Sequence, residues 1–86
     1  MNYHVEVPAK VEKYILSLPI KIALQITERI NLLAENPRPT NSIKLEGQEG
    51  YRIKSGNYRV IYEIDDKAKI VYVLSVRDRK DAYKKR

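Results

Sequence analysis

The sequence predicts an α+β domain: an N-terminal strand and a two-helix hairpin packed on one face of an antiparallel β-sheet, with a short C-terminal helix or tail. Apolar residues recur at helical spacing through the first half and with period two through the second. A proline-rich break at 36–41 separates the two regimes. With 86 residues the chain has room for one domain, 1–86, and helices and sheet must share a single apolar layer.

Residues Tyr3 to Val7 alternate and read as a short first strand. Pro8 suits the first helical position, where its missing N–H is no loss. Val11, Tyr14, Ile15 and Leu18 follow at helical spacing, and Pro19 closes that helix or opens the next. The second helix is expected from about Pro19 to Glu35, with Ile22, Ile26, Ile30 and Leu33 as its stripe and Ala23 and Ala34 on the flank. Pro37 and Pro39 cannot continue the ladder and end it. Beyond them Ile43 to Leu45 forms a brief strand, and Gly47 and Gly50 mark a turn. Tyr51 to Lys54 enters a hairpin through Ser55-Gly56-Asn57, and Tyr58 to Ile64 returns. Asp65-Asp66-Lys67-Ala68 turns the chain again into a last, β-branched strand from Lys69 to Val76. Turns this short exclude crossovers, so the meander is antiparallel.

Strict alternation assigns the faces. Ile53, Val60, Tyr62, Ile64, Ile70, Tyr72, Leu74 and Val76 should pack on the helices. Arg52, Lys54, Arg59, Ile61, Glu63, Val71, Val73, Ser75 and Arg77 should form the other face, with four cations and Glu63 as its only acid. Like charges on neighbouring strands repel, and a polyphosphate ligand is the simplest compensation. A cationic face spread into water fits the same pattern. Tyr83, if the tail folds back beside Arg77, is placed to stack on a base or handle a proton, or to pack the tail on the sheet.

Composition narrows the chemistry. Cysteine is absent, which excludes disulfides and thiolate metal sites and points to the cytosol. The longest apolar run, Ile70 to Leu74, is far below the roughly 20 residues of a membrane span, and His4, Glu6, Lys10, Glu12 and Lys13 break up any signal-peptide pattern. Net charge is +6 and uneven: residues 1–43 carry five Lys/Arg against four Asp/Glu, residues 44–86 twelve against seven. A polyanion or an acidic protein is the partner such asymmetry fits. His4, the only histidine, reads as an incidental strand residue, so a histidine acid/base pair is excluded. Asp65 and Asp66 read as a turn pair, and no cofactor or metal is expected.

The stretches Gly50-Tyr51-Arg52-Ile53-Lys54, Asn57-Tyr58-Arg59-Val60-Ile61-Tyr62 and Val73-Leu74-Ser75-Val76-Arg77-Asp78-Arg79-Lys80-Asp81-Ala82-Tyr83, in this order and spacing, resemble the RelE branch of the RelE/ParE toxin superfamily. The helical hairpin ending in Asn36-Pro37-Arg38 is compatible with the same fold, so the resemblance spans nearly the whole chain. It implies a toxin of a type II toxin–antitoxin system, a ribosome-dependent endoribonuclease that cuts messenger RNA in the A site and inhibits translation. The family's catalytic positions fall on Arg52, Lys54, Arg59, Arg77 and Tyr83. Arg52 stands where the best-known members often have lysine, and an arginine can hold phosphate but cannot act as a base. The implied reaction is metal-independent attack of a 2′-hydroxyl on the adjacent phosphate, with Tyr83 or Lys54 as base and Arg77 stabilising the phosphorane. Lys44, Arg79, Lys80, Lys84, Lys85 and Arg86 are candidates for gripping RNA, the last three equally readable as a solubilising tail. The resemblance also implies a cognate antitoxin, the ribosome and its messenger as partners, no membrane, and DNA only indirectly through the antitoxin. Two other readings stay open: a gyrase poison of the ParE branch, and a non-catalytic RNA-binding module.

Overall fold

Each helix begins directly after a proline. Pro8 (φ −61°, ψ 150°) and Pro19 (φ −52°, ψ 143°) are extended, so each stands just outside its helix while its carbonyl accepts the first helical hydrogen bond, from Glu12 N (3.0 Å) and Ala23 N (2.9 Å). Pro8 therefore sits one residue before the position expected for it. The computed structural model describes residues 2–78. Its elements are β1 (His4–Glu6), α1 (Ala9–Leu16), α2 (Ile20–Leu32), β2 (Ile43–Lys44), β3 (Tyr51–Ser55), β4 (Tyr58–Asp65) and β5 (Ile70–Asp78). The expected helix to Glu35 stops at Leu32, and its last carbonyls are taken up by tighter turns: Leu33 N to Ile30 O at 3.0 Å, then Ala34 N to Asn31 O and Glu35 N to Leu32 O at 3.1 Å. No helix among the described residues is long and apolar enough to cross a membrane.

The strands form one sheet in the order β1-β5-β4-β3-β2. All pairings are antiparallel except β1 with β5, which are parallel, with Val5 opposite Val71. The expected antiparallel meander is thus present, and the N-terminal strand adds a parallel edge, which the long connection through both helices permits. Gly50 lets the chain enter β3: its φ is +114°, and a side chain there would meet the Tyr62 carbonyl oxygen at 3.0 Å. β5 runs two residues further than expected, so Arg77 and Asp78 are ladder residues opposite Arg59 and Tyr58.

One face of the sheet carries the core. Val11 and Ile15 of α1, Ala23, Ile26 and Ile30 of α2, and Leu33 pack against Ile53, Val60, Tyr62, Val71, Val73 and Val76. Ile22, Tyr14 and Leu18, expected on the helical stripes, are partly buried against that cluster. The strand faces need one correction. The register of β4 on β5 shifts at Ile61/Tyr62, with Ile61 opposite Ser75 and Tyr62 opposite Val73, so Leu74 is an extra residue. Such a bulge inverts the alternation across it. Val71 and Val73, expected on the basic face, are buried, whereas Tyr72 and Leu74, expected in the core, are exposed and Ile70 shares their side. Beyond the bulge Val76 is buried and Arg77 exposed, as alternation predicts.

The segment after α2 is clasped to the sheet. The phenol of Tyr62, fully buried, donates to the Pro37 carbonyl (2.7 Å) and its ring stacks on Tyr51 at 5.9 Å. Burial pushes the Tyr62 phenol up to about 12, which keeps it a neutral donor. Arg38 Nε donates to the Tyr51 hydroxyl (3.1 Å), and its two terminal nitrogens grip Asp66 at 2.8 and 3.3 Å. Tyr3 donates to the same carboxylate (2.7 Å), so the start of the chain, the post-helix loop and the β4–β5 turn meet on Asp66. Hydrogen bonds from Arg38 and then Tyr3 hold that carboxyl down at about 2.

Tyr62→Phe leaves the Pro37 carbonyl unsatisfied and should cost about 1–2 kcal/mol in urea unfolding, with an unchanged denaturant slope. Asp66 is more acidic folded than unfolded, where its pKa is about 3.9. Its stabilisation is therefore present above about pH 4 and lost as pH falls through about 2, a loss Asp66→Asn should remove from the acid-unfolding profile.

Candidate nucleic-acid interface

Two turns bring the cations together. Ser55 pairs with Tyr58, which leaves Gly56 and Asn57 as a two-residue hairpin loop, and Gly56 has a φ of 61°. Positive φ is what the twist-matched hairpin turns require. This sets Lys54 opposite Arg59. At the other end Asp65 pairs with Ile70, and the Asp65 carboxylate accepts the Ala68 N–H (3.0 Å) within the turn. The resulting register, with its bulge, sets Arg59 opposite Arg77.

Lys54, Arg59 and Arg77 thus form one row across three strands on the face away from the helices. Arg52, opposite Ile61 and through it in line with Ser75, stands in the next row on the same side. Directly opposed residues on paired strands lie about 5 Å apart. Lys54 and Arg77 are exposed, Arg52 and Arg59 half-buried. Cations so close in sequence-distant positions suit a chain of phosphates: guanidinium forks take two oxygens each, and the ammonium adds a point charge.

The rest of this face is not basic. Glu63, Tyr72 and Glu6 form a further row, and Asp65, Ile70 and His4 the one beyond it. Glu63 is therefore not the only acid there. Parallel β1 and the bulge bring in Glu6, and Asp65 stays in phase with Glu63. His4 lies with its Nε2 3.0 Å from the Glu6 carboxylate at this end, remote from the cation row. The open face is graded from cations through Ile61 and Leu74 to the carboxylates that flank Tyr72.

Not every expected contact joins the row. Lys44 stands opposite Tyr51, on the helix side, with its ammonium 5.3 Å from the Tyr51 ring centre. Tyr83, Arg79, Lys80, Lys84, Lys85 and Arg86 lie outside the described residues. Tyr72 and Leu74 were missed as surface residues. The signal available was the spacing of β-branched residues, Val71, Val73, then Val76, in which a step of two becomes a step of three.

Residues 5–83 match the family model described as the ParE toxin of the type II toxin–antitoxin system parDE. The fold is similar to a chain of the archaeal RelE–RelB complex from Pyrococcus horikoshii, with a TM-score of 0.83 and 34% identity over 92% of this chain and 97% of that one. The chain belongs to the RelE/ParE toxin family. It is also similar to a chain of the RelBE2 toxin–antitoxin complex from Mycobacterium tuberculosis, with a TM-score of 0.78 and 26% identity over 92% and all of the respective chains. A chain of the intact E. coli RelBE toxin–antitoxin complex matches with a TM-score of 0.74 and 29% identity, over 88% of this chain and 95% of that one. As a member of this family the chain has the RelE-like α+β fold, with two helices on a mostly antiparallel five-stranded sheet among the described residues.

For this toxin-family sheet, the cation row has a cost that can be read independently of any activity. Lys54→Gln relieves like-charge opposition and should leave stability unchanged or raised by about 0.2–1 kcal/mol. The same change should lower affinity for single-stranded RNA and reduce the slope of log K against log salt by about 0.7, as anisotropy titrations at several salt concentrations would read.

Proposed function

We propose that this toxin is a ribosome-dependent endoribonuclease that cuts messenger RNA in the A site and so arrests translation in the cytoplasm. What carries the reading is the row Lys54, Arg59 and Arg77, directly opposed across three strands, with Arg52 beside it. Similarity to RelE chains supports it.

The scissile phosphate rests on the cation row. The 2′-hydroxyl oxygen forms a bond to phosphorus, its proton passing to Tyr83 or Lys54, and the bond to the 5′-oxygen breaks. That oxygen takes up a proton, leaving a 2′,3′-cyclic phosphate on one fragment and a 5′-hydroxyl on the other. Arg77 stabilises the charge that develops on the phosphorane and the departing oxygen, while Arg52 and Arg59 hold the backbone. The step balances without a metal ion or cofactor, and needs none of the histidine chemistry that a single exposed His4 could not provide.

Three of the similar structures are toxin–antitoxin complexes. By the same reasoning a cognate antitoxin neutralises this chain, and any contact with DNA runs through that antitoxin. A second reading draws on the description of the matching family model as a ParE toxin: a gyrase poison with no RNA chemistry.

Primer extension on a messenger translated by purified ribosomes separates the two. The enzyme reading predicts codon-spaced cuts, lowered roughly 10²- to 10³-fold in rate by Arg77→Ala and abolished by a 2′-deoxy nucleotide at the cut. Supercoiling defects with an intact messenger would establish the gyrase reading instead.

A further inference from the structure

The bulge at Leu74 puts a tyrosine where strict alternation would have buried it. Tyr72 is 39% and Leu74 46% exposed, side by side on the face that carries the cation row. Burying an aromatic ring on the core side would be favourable, so a ring left in water on a face of this kind is available to a ligand. Tyr72 and Arg77 are five positions apart on β5, roughly 15 Å along the strand. A nucleic-acid strand with a phosphate on the row can therefore reach the ring with a base about two nucleotides along.

The charges beside Tyr72 decide which part of the strand goes there. Glu63 and Glu6 flank it in its own row, one on either neighbouring strand. Two carboxylates repel a phosphate and leave a neutral base face unopposed. Cations draw the backbone to one end of the sheet, carboxylates exclude it from the other, Leu74 and Ile61 lie between, and Tyr72 is the aromatic surface within the first carboxylate row. A duplex would bring phosphates over both ends, whereas a single strand can turn its bases onto the middle.

We propose that Tyr72, with Leu74 beside it, is a stacking platform for a base of single-stranded RNA whose backbone lies on the row of Lys54, Arg59 and Arg77. This deepens the ribonuclease reading and rests on it for its biological setting. Its binding component can be tested apart from cleavage. Tyr72 is a binding residue here and takes no part in the proton transfers.

Tyr72→Ala, Tyr72→Phe and Leu74→Ala are compared with the unmodified protein by two measurements, after thermal melts have matched their folding. Fluorescence anisotropy with an uncleavable 2′-deoxy-substituted oligoribonucleotide reads binding, and single-turnover cutting of ribosome-bound messenger reads rate against toxin concentration. Tyr72→Ala should weaken oligonucleotide binding roughly 5- to 150-fold. It should raise the half-saturating toxin concentration with the maximal rate little changed, while Tyr72→Phe keeps both. An oligonucleotide with one abasic site under the ring should bind the unmodified protein and Tyr72→Ala equally. Tyr72-dependent binding with no cutting by any form would leave the platform standing and remove the ribonuclease reading. Normal cutting and binding by Tyr72→Ala would remove the platform and leave the ribonuclease. If Tyr72→Ala loses only the capture of a cognate antitoxin, the face is a protein seat and the proposal is overturned.

Discussion

The ladder between β4 and β5 runs in two registers separated by one residue, and nearly everything on the sheet's open face follows from that. On the hairpin side of the bulge Arg59 opposes Arg77 and Val60 opposes Val76, while on the other side Tyr62 opposes Val73 and Ile64 opposes Val71. A strand with no inserted residue would have to choose. Keeping Arg77 outside would then bring Tyr72 and Leu74 inward and turn Val71 and Val73 to water. The extra residue lets the cation row and the valine core coexist on one nine-residue strand. The exposed Leu74 is the cost, and a graded face is the result.

That gradation separates two physical demands. Opposed cations destabilise a sheet, and the row sits at the end that carries the exposed Gly56-Asn57 hairpin loop. The opposite end is where the chain is pinned, with β1 paired to β5 and Arg38, Asp66 and Tyr3 joined in one hydrogen-bonded set. Rigid scaffold and repelling charges are thereby kept apart, the arrangement expected when a site must be preorganised on elements that do not depend on it.

Much was legible beforehand because it is local. Proline positions marked both helix starts, and the run Ile26, Ile30 and Leu33 marked the buried side of the helical hairpin. Arg52 and Lys54 share a face because they are two apart on one strand. Strict alternation along β5 puts Arg59 and Arg77 on one face correctly, because both lie on the same side of the bulge. Continued to Ile70, the same count gives the wrong side.

The amino-acid order by itself determined the element types, the break at 36–41, the basic excess of the second half and the motifs that mark the RelE/ParE family, all of which depend on near neighbours along the chain. The tertiary structure alone decided the parallel pairing of β1, the inverted phase of Ile70 to Leu74, the approach of Glu6 to Tyr72 and the departure of Lys44 to the helix side. These are relations between segments. Ile70 to Leu74 is apolar throughout, so hydropathy by itself does not choose its phase, and the packing of β5 against α1 selects one.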